Sequence, residues 1–225
     1  MNIKNISFDL WMTLIRSHPE FKLKRAELIS DTFNIKTISP KEIDGFIRSV
    51  DNVFDRYNMI SGKKLSANKM YKELLQRLVP KSKEVTLEAA IKLREQADTL
   101  FLEYRPVFMN DNIPQILSQL NNDGYILNLS SNTGFIEGET LRMTLADLGI
   151  IEYFDFLIFS DEIDASKPSS HFFQHVYNHI NASKEEVLHI GDNPKADYQG
   201  AKNFGFNALL ITDPNYTIND IRTKL

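Results

Sequence analysis

Four short polar segments, each at or beyond the end of an apolar stretch, constrain the fold of this chain more than any other feature. The apolar stretches are predicted to be buried strands at residues 3–8, 125–129, 156–159 and 187–190. In an open sheet of parallel strands, ligands bind at the edge where the carboxyl ends of the strands meet. The sequence therefore predicts one shared site. Its segments are Phe8-Asp9-Leu10-Trp11-Met12-Thr13, Leu129-Ser130-Ser131-Asn132, Lys167-Pro168 and Gly191-Asp192-Asn193-Pro194-Lys195-Ala196-Asp197.

A fifth apolar stretch, residues 207–211, completes the predicted strands. After the first strand, these stretches alternate with patterns of helical spacing that begin near Ile113, Leu141, Phe172 and Ala201. Such alternation favours an α/β fold in which right-handed crossovers connect parallel strands.

Between the first two of these strands, the sequence shows a long run of helical periods and no convincing strand. One helix is well marked, because Ser39 can cap it, Pro40 suits its first position and Glu42 can complete a capping box. Further helical patterns begin near Phe21, Met70 and Thr86. We therefore predict a core formed by residues 1–16 and 108–225, and a helical insert formed by residues 17–107.

The polar segments carry the groups that phosphoryl chemistry needs. A carboxylate at Asp9 can bind Mg²⁺ through one oxygen and attack an electrophile with the other, because Mg²⁺ takes oxygen ligands and offsets repulsion between carboxylate and phosphate. Asp192 and Asp197 can complete the Mg²⁺ site. Ser131 can donate a hydrogen bond to a phosphoryl oxygen, and Lys167 can stabilise negative charge in the transition state.

The order of these motifs resembles that of the haloacid dehalogenase-like (HAD) hydrolase superfamily along essentially the whole chain. The resemblance implies a doubly wound, Rossmann-like core with an inserted helical cap of the C1 type. It implies a phosphatase in which Asp9 is the nucleophile and forms an aspartyl-phosphate. Ser131 and Lys167 would bind the phosphate, and Asp192 would bind Mg²⁺.

Three further assignments follow from the same resemblance. Asp197 would support the metal or Lys167. Asn132 would help to orient the substrate, and Thr13 would have a supporting place in the first motif. The expected substrate is a small anionic metabolite, most simply a phosphate ester.

Trp11 departs from the family pattern. Phosphatases of the family carry a second Asp at this position, which protonates the leaving group and then activates water, and an indole can do neither. General acid–base catalysis contributes ~10²- to 10⁴-fold, so we expect slow turnover. The Trp11 backbone carbonyl can still bind Mg²⁺, as the resemblance implies. The side chain has three interpretations: packing against the cap, a wall of the substrate pocket, or the mark of a site that has lost catalysis.

Three other functions stay open. A 2-haloacid dehalogenase has an aromatic residue at the position of Trp11, but such enzymes need no metal, so Asp192 and Asp197 argue against it. A phosphonate hydrolase would form a Schiff base on a lysine of the insert, and the sequence does not single one out. A binding or regulatory module would retain the ligand and Mg²⁺ with little turnover.

Composition excludes other classes of function. With a formal net charge of −4, a pI of about 5.8 and no long block of like charge, the chain has no electrostatic footprint for nucleic acid. It has no Cys, which fits a reducing compartment. The start is too polar for a signal peptide and no apolar run could span a membrane, so we expect a cytoplasmic protein. The oligomeric state is not predictable from the sequence.

Two further features need interpretation. A basic cluster, formed by Arg16, His18, Lys22, Lys24 and Arg25, lies where the core passes into the insert. It is either a solvated helix face or a device that recruits anions. The histidine within the fourth strand, His189, is predicted to be a core residue with satisfied hydrogen bonds and no catalytic role.

Overall fold

Five parallel strands form the central sheet in the computed structural model, which describes residues 2–80, 84–211 and 221. They are β1 (Asn5–Phe8), β4 (Ile126–Ser131), β5 (Phe156–Phe159), β6 (Val187–Gly191) and β7 (Asn207–Leu210). Their order in the sheet is β5-β4-β1-β6-β7. Every strand lies within two residues of its predicted bounds at each end, because continuous apolar runs bounded by polar residues mark buried strands well.

The order of the strands reverses at β1, since the chain first builds the sheet outward to β5 on one side and then to β7 on the other. This is the doubly wound, Rossmann-like α/β arrangement, and its crevice lies beyond the carboxyl ends of β4, β1 and β6. The predicted fold class is confirmed.

The helices that flank the sheet also match the predicted patterns. They are α5 (Ile113–Asn122), α6 (Gly138–Asp147), α7 (Ser170–Tyr177) and α8 (Gly200–Phe204), the last preceded by a π-helical segment, Pro194–Gln199. Short 3-10 turns occupy Ile151–Tyr153 and Lys184–Glu186.

Four helices fill the insert. They are α1 (Phe21–Phe33), α2 (Pro40–Ser61), α3 (Ala67–Leu78) and α4 (Leu87–Glu103). The predicted capping box is present at the start of α2, where Ser39 accepts from the backbone of Glu42 and the Glu42 carboxylate accepts from the backbone of Ser39. Thr86 caps α4 by accepting from Ala89.

The described residues form three apolar clusters, one among the inserted helices and two that pack on the sheet. Buried residues of α1 to α4, such as Ile43, Tyr71 and Leu74, form a cluster among the inserted helices. Phe21 of α1 and Phe101 of α4, however, pack into one of the two clusters on the sheet. The inserted helices therefore share apolar side chains with the core beside the first motif.

Two short strands were not predicted. A two-residue strand, β2 (Ile15–Arg16), pairs antiparallel with β3 (Val107–Phe108), so the expectation of no strand between β1 and α5 was wrong. A pair this short has no periodicity to detect, and its partners are far apart in the chain. This antiparallel pair lies at the predicted ends of the insert.

The division into core and insert stays a prediction, and the predicted core ends, residues 1 and 225, lie outside the described residues. Within the described ranges, no helix has both the length and the apolar character needed to cross a membrane.

Candidate active site

The sheet brings the predicted motifs together. Asp9 follows β1, Ser131 ends β4 and Asp192 follows β6, and β1 pairs in parallel with both of the other strands. Register places Phe8, the last residue of β1, beside Leu129 and Ile190, so the three strands end within two residues of one another. The carboxyl edge of the sheet therefore collects these side chains as the sequence predicted.

Asp9 lies at the centre of the site and is almost fully buried. Its Oδ1 accepts hydrogen bonds from Lys167 Nζ (2.8 Å) and Ser131 Oγ (3.1 Å), and its Oδ2 accepts one from Thr13 Oγ1 (3.2 Å). Burial raises the pKa of Asp9, and the Lys167 ammonium opposes that change. These contacts set the orientation of the carboxylate, which also lines a cavity.

Lys167 is a buried cation with three acceptors. Its Nζ lies 2.8 Å from Asp9 Oδ1, 2.6 Å from Asp197 Oδ1 and 2.8 Å from the Ser130 carbonyl oxygen. Burial disfavours the charged lysine, yet the Asp197 and Asp9 carboxylates keep the pKa of Lys167 above its ordinary value. An ammonium has three N–H donors, so this geometry leaves it little freedom to rotate.

Asn132 positions Lys167 through the main chain. Its Oδ1 accepts from the backbone N–H of Lys167 (2.8 Å), and its Nδ2 donates to the Lys167 carbonyl (3.1 Å). The sequence predicted contact with substrate for this residue. Asn132 does line the cavity, so substrate contact stays a prediction, but the hydrogen bonds that the structure shows go to the lysine.

Asp197 supports Lys167 with a carboxylate whose oxygens are both engaged. Oδ1 contacts Lys167 and His189 Nε2 (3.1 Å), and Oδ2 accepts from the backbone N–H of Asn193 (2.9 Å). Although burial opposes its ionisation, Lys167 and His189 hold the pKa of Asp197 below its usual range. Gly191 is required beside it, because a Cβ at that position would overlap the Asp197 carboxylate. Of the two supporting places predicted for Asp197, this geometry favours the lysine.

His189 is fully buried, as predicted, and both of its ring nitrogens have partners. Nδ1 lies 3.2 Å from Ser7 Oγ, which in turn lies 2.7 Å from Ser130 Oγ. Burial lowers the pKa of His189 despite the Asp197 carboxylate. The sequence showed a histidine in a strand but not its bond to Asp197, because a strand pattern gives the face of a side chain and not its partner.

Three carboxylates cluster around the centre of the site, two of them buried and Asp192 half-buried. Oxygens of Asp9, Asp192 and Asp197 lie within 4.8 Å of one another. Burial is the main reason why the pKa of Asp192 is raised to about 7, and the charges of Asp9 and Asp197 act in the same direction. Hard oxygen donors this close repel one another and suit a divalent cation that takes oxygen ligands. The donor set therefore fits Mg²⁺. The oxygens of Asp197 hold Lys167, His189 and Asn193, and those of Asp9 accept from Lys167, Ser131 and Thr13.

Trp11 fits two of its three interpretations at once. Its ring packs against Phe101 of α4, with ring centroids 6.0 Å apart, and it also lines the cavity. The next residue, Met12, has a φ of 59°, a left-handed turn that carries the chain out of the motif toward Ile15. The indole therefore joins the inserted helices to the wall of the site.

A cavity of about 640 Å³ extends from Asp9 to the inserted helices. Much of the predicted basic cluster faces it, since Arg16, His18, Lys22 and Arg25 line its wall. Lys24 does not, and instead pairs with Glu27 at 3.0 Å. The cavity therefore connects Asp9 to a wall that carries these basic residues together with the acidic residues Asp44, Asp51 and Asp55.

Comparison with known proteins agrees with this geometry. A model of the family described as haloacid dehalogenase-like hydrolase matches residues 3–205. The rhythmically expressed gene 2 protein of Drosophila melanogaster is 40% identical over 79 residues, which are 34% of this chain and 30% of that protein. The glyceraldehyde 3-phosphate phosphatase of Methanothermobacter thermautotrophicus is 30% identical over 102 residues, 44% of this chain and 43% of that one. The chain thus spans less than half the length of these relatives.

A solved structure resembles the whole fold. The HAD-hydrolase YfnB from Bacillus subtilis, solved with magnesium bound, has a TM-score of 0.74, and the match covers 94% of this chain and 89% of that one. Its sequence identity is 17%, so this likeness concerns the fold alone.

Proposed function

The chain belongs to the haloacid dehalogenase-like hydrolase family, and on this basis we propose that it is a Mg²⁺-dependent phosphatase that acts on a small phosphorylated metabolite. The observation that carries the proposal is the placement of Lys167 Nζ between Asp9 Oδ1 and Asp197 Oδ1. That arrangement gives a carboxylate nucleophile a fixed neighbouring cation at the end of an open cavity. Similarity to a protein named as a phosphatase supports the same class of reaction.

The reaction proceeds in two displacements. An Asp9 oxygen attacks phosphorus, and the bond from phosphorus to the ester oxygen breaks, so an aspartyl-phosphate forms and the alcohol leaves with a proton taken from water. Water then attacks the phosphoryl group, which regenerates the Asp9 carboxylate and releases inorganic phosphate. Lys167 and the Ser131 hydroxyl stabilise charge on the phosphoryl oxygens in both steps.

Mg²⁺ would be held by carboxylate oxygens of Asp9 and Asp192 and by the backbone carbonyl of Trp11. When bound, the ion neutralises phosphate charge and draws the phosphoryl group toward the nucleophile. Thr13 contributes by holding Asp9 Oδ2. Asp197 acts indirectly, because its carboxylate orients the Lys167 ammonium.

Trp11 limits the rate with ordinary esters. An alkoxide leaving group needs a proton as its bond to phosphorus breaks, and an indole in this position supplies none. We therefore infer that esters with acidic alcohols react well and that alkyl esters react slowly, by a factor within the ~10²- to 10⁴-fold range of general acid catalysis.

The rival reactions receive less support. In a metal-independent dehalogenase Asp9 would still be the nucleophile and Asp197 would still hold Lys167, but Asp192, the third carboxylate of the cluster, would have no metal to bind. Schiff-base chemistry needs an insert lysine in the cavity. Lys64 is buried and its pKa is lowered by burial, but Lys64 Nζ donates to the carbonyls of Leu65 and Gly134, and Lys64 is not among the described residues that line the cavity. Another lysine of the insert, Lys22, does line the cavity, but its side chain is exposed to solvent and not buried. A ligand-binding module with little turnover is the remaining rival.

Hydrolysis of 4-nitrophenyl phosphate tests the proposal, since this leaving group needs little protonation and so bypasses Trp11. We expect turnover that requires Mg²⁺ and that falls at least 10³-fold in Asp9→Asn. The matched control is Asp31→Asn, which changes the same group on the exposed face of α1. Absence of turnover in folded protein that binds Mg²⁺ would favour the binding module. Turnover that survives Asp9→Asn would contradict the assigned nucleophile.

A further inference from the structure

Arg25 is a buried cation without a direct counter-ion. Its side chain lies on α1, the residue is 8% exposed, and it lines the same cavity as Asp9. Its Nε is buried without a hydrogen-bond partner, and no carboxylate of the described residues lies within the 4.0 Å of an ion pair. Buried charges are normally paired, because leaving water costs them several kcal/mol. This guanidinium therefore needs an explanation that the proposed reaction at Asp9 does not give.

Aromatic rings position the guanidinium. The Arg25 Cζ atom lies 5.0 Å from the ring centre of Phe21 and 5.2 Å from that of Phe135, and both rings line the cavity. Contacts of this kind stabilise a cation but accept no ordinary hydrogen bond. The N–H groups of the planar guanidinium thus retain capacity for a planar or tetrahedral oxyanion, which they can bind through two parallel hydrogen bonds.

The aromatic rings also connect Arg25 to the chemistry. Phe21 packs edge-on against Phe101 at 5.1 Å, and Phe101 contacts Trp11 in the first motif. One continuous wall therefore runs from the position beside the nucleophile to the guanidinium. A ligand that lies along this wall can reach Asp9 with one end and Arg25 with the other.

Nearby polar groups do not replace such a ligand. The Tyr71 hydroxyl lies close enough to Arg25 to interact with it through charge and a side-chain hydrogen bond, although neither Tyr71 Oη nor Arg25 Nε has a partner in full hydrogen-bond geometry. Asp51, which also lines the cavity, interacts with the charge of Arg25 from beyond the distance of an ion pair. Asp51 lies beside Gly134, where a Cβ would meet its Oδ1 at 2.9 Å. Arg48, another arginine that lines the cavity, differs from Arg25 because it is exposed and pairs with Asp44 at 3.2 Å.

We propose that Arg25 binds a second oxyanion of the substrate, so that the substrates are phosphate esters that also carry a carboxylate or a second phosphate. This inference rests on the proposed function, because the first phosphate is the one that Asp9 attacks. Arg25 is then a specificity-determining residue. The alternative is that Arg25 only fastens α1 to the loop that holds Phe135.

Binding of phosphonates tests this without turnover, because their carbon–phosphorus bond resists ester hydrolysis. The probes are alkylphosphonates, ω-carboxyalkylphosphonates and alkane bisphosphonates with one to three methylene groups, titrated by calorimetry in the presence of Mg²⁺. We expect at least one probe with two anionic groups to bind ten times more tightly than the alkylphosphonate of equal length. The carboxylate and bisphosphonate series distinguish the two kinds of second oxyanion.

Three variants complete the test. Arg25→Gln should abolish the preference and leave affinity for alkylphosphonates within about twofold, whereas Arg48→Gln should retain the preference. Arg25→Lys should retain part of it, because the charge remains while the bidentate geometry is lost. Equal affinity for both kinds of probe in the native protein overturns the inference, and so does an Arg25→Gln variant that loses stability and all binding together. No binding of any phosphonate overturns the proposed phosphate site and the inference with it.

Discussion

Lys167 Nζ lies 2.6 Å from Oδ1 of Asp197, and both residues are almost fully buried. The pair also supports Asp9, the proposed nucleophile, because the same ammonium contacts its Oδ1. Two carboxylates therefore share one cation, and His189 bonds the outer carboxylate. These contacts explain why the segment that carries Lys167 and the segment that carries Asp197 have to lie side by side.

Replacing Asp197 by Asn should weaken both stability and turnover. Removing one partner of a buried ion pair costs about 3 kcal/mol of unfolding free energy, and loss of an outer supporting group lowers activity by about 10- to 100-fold. Thermal unfolding and kcat for 4-nitrophenyl phosphate provide the measurements. Asp31→Asn, in an exposed pair with Lys36, should change neither. Native stability and kcat in Asp197→Asn would contradict the assigned role.

The variant Trp11→Asp should restore the missing acid. We expect its activity toward an alkyl phosphate to rise by about 10²-fold, the lower end of general acid catalysis, while hydrolysis of the nitrophenyl ester changes little. Loss of the contact with Phe101 should also lower stability. Trp11→Phe is the control, since it keeps an aromatic wall without an acid. An unchanged ratio of alkyl to aryl rates in folded Trp11→Asp would refute this account of slow turnover.

Binding of Mg²⁺ should weaken as the pH falls through 7. In the metal-free site, burial and the charges of Asp9 and Asp197 raise the pKa of Asp192 to about 7, so below that pH a proton competes with the ion. Trp11 is the single tryptophan of the chain and lines the site, so its fluorescence can report binding directly. The half-saturating Mg²⁺ concentration should rise as the pH is lowered from 8 to 6. A value independent of pH would exclude Asp192 as a ligand that must first lose a proton.

A half-buried carboxylate of α4, Asp98, which pairs with Arg94, gives a prediction about stability alone. Burial raises the pKa of Asp98 to about 6, against the opposing charge of Arg94, and Asp98 Oδ1 has no hydrogen-bond partner. Because the folded protein binds this proton more tightly than the unfolded chain, stability from this group is present at low pH and is lost as the pH rises through 6.

The variant Asp98→Asn should therefore raise the melting temperature, and by more at pH 7.5 than at pH 4.5. Glu95→Gln is the control, since it removes an equal charge from the exposed face of the same helix. A gain that is equal at both pH values would show that burial of the charge is not its cause.

The predictions agree with the structure where they depend on short spacings in the sequence. Apolar runs predicted the strands, capping residues predicted the start of α2, and polar residues at strand ends predicted the gathering of Asp9, Ser131 and Asp192. These features depend on short spacings and on the common direction of parallel strands, which any such sheet obeys. The antiparallel pair of β2 and β3 escaped prediction because two residues carry no periodic signal.

The sequence by itself determined the order of the five parallel strands, the edge of the sheet at which the motifs meet and the family of hydrolase. Only the tertiary structure decided that Asn132 holds the backbone of Lys167, that His189 bonds Asp197, and that Arg25 faces the cavity while Lys24 does not. The physical reason is that these contacts depend on side-chain orientation and on how distant segments pack. Spacing along the chain specifies neither.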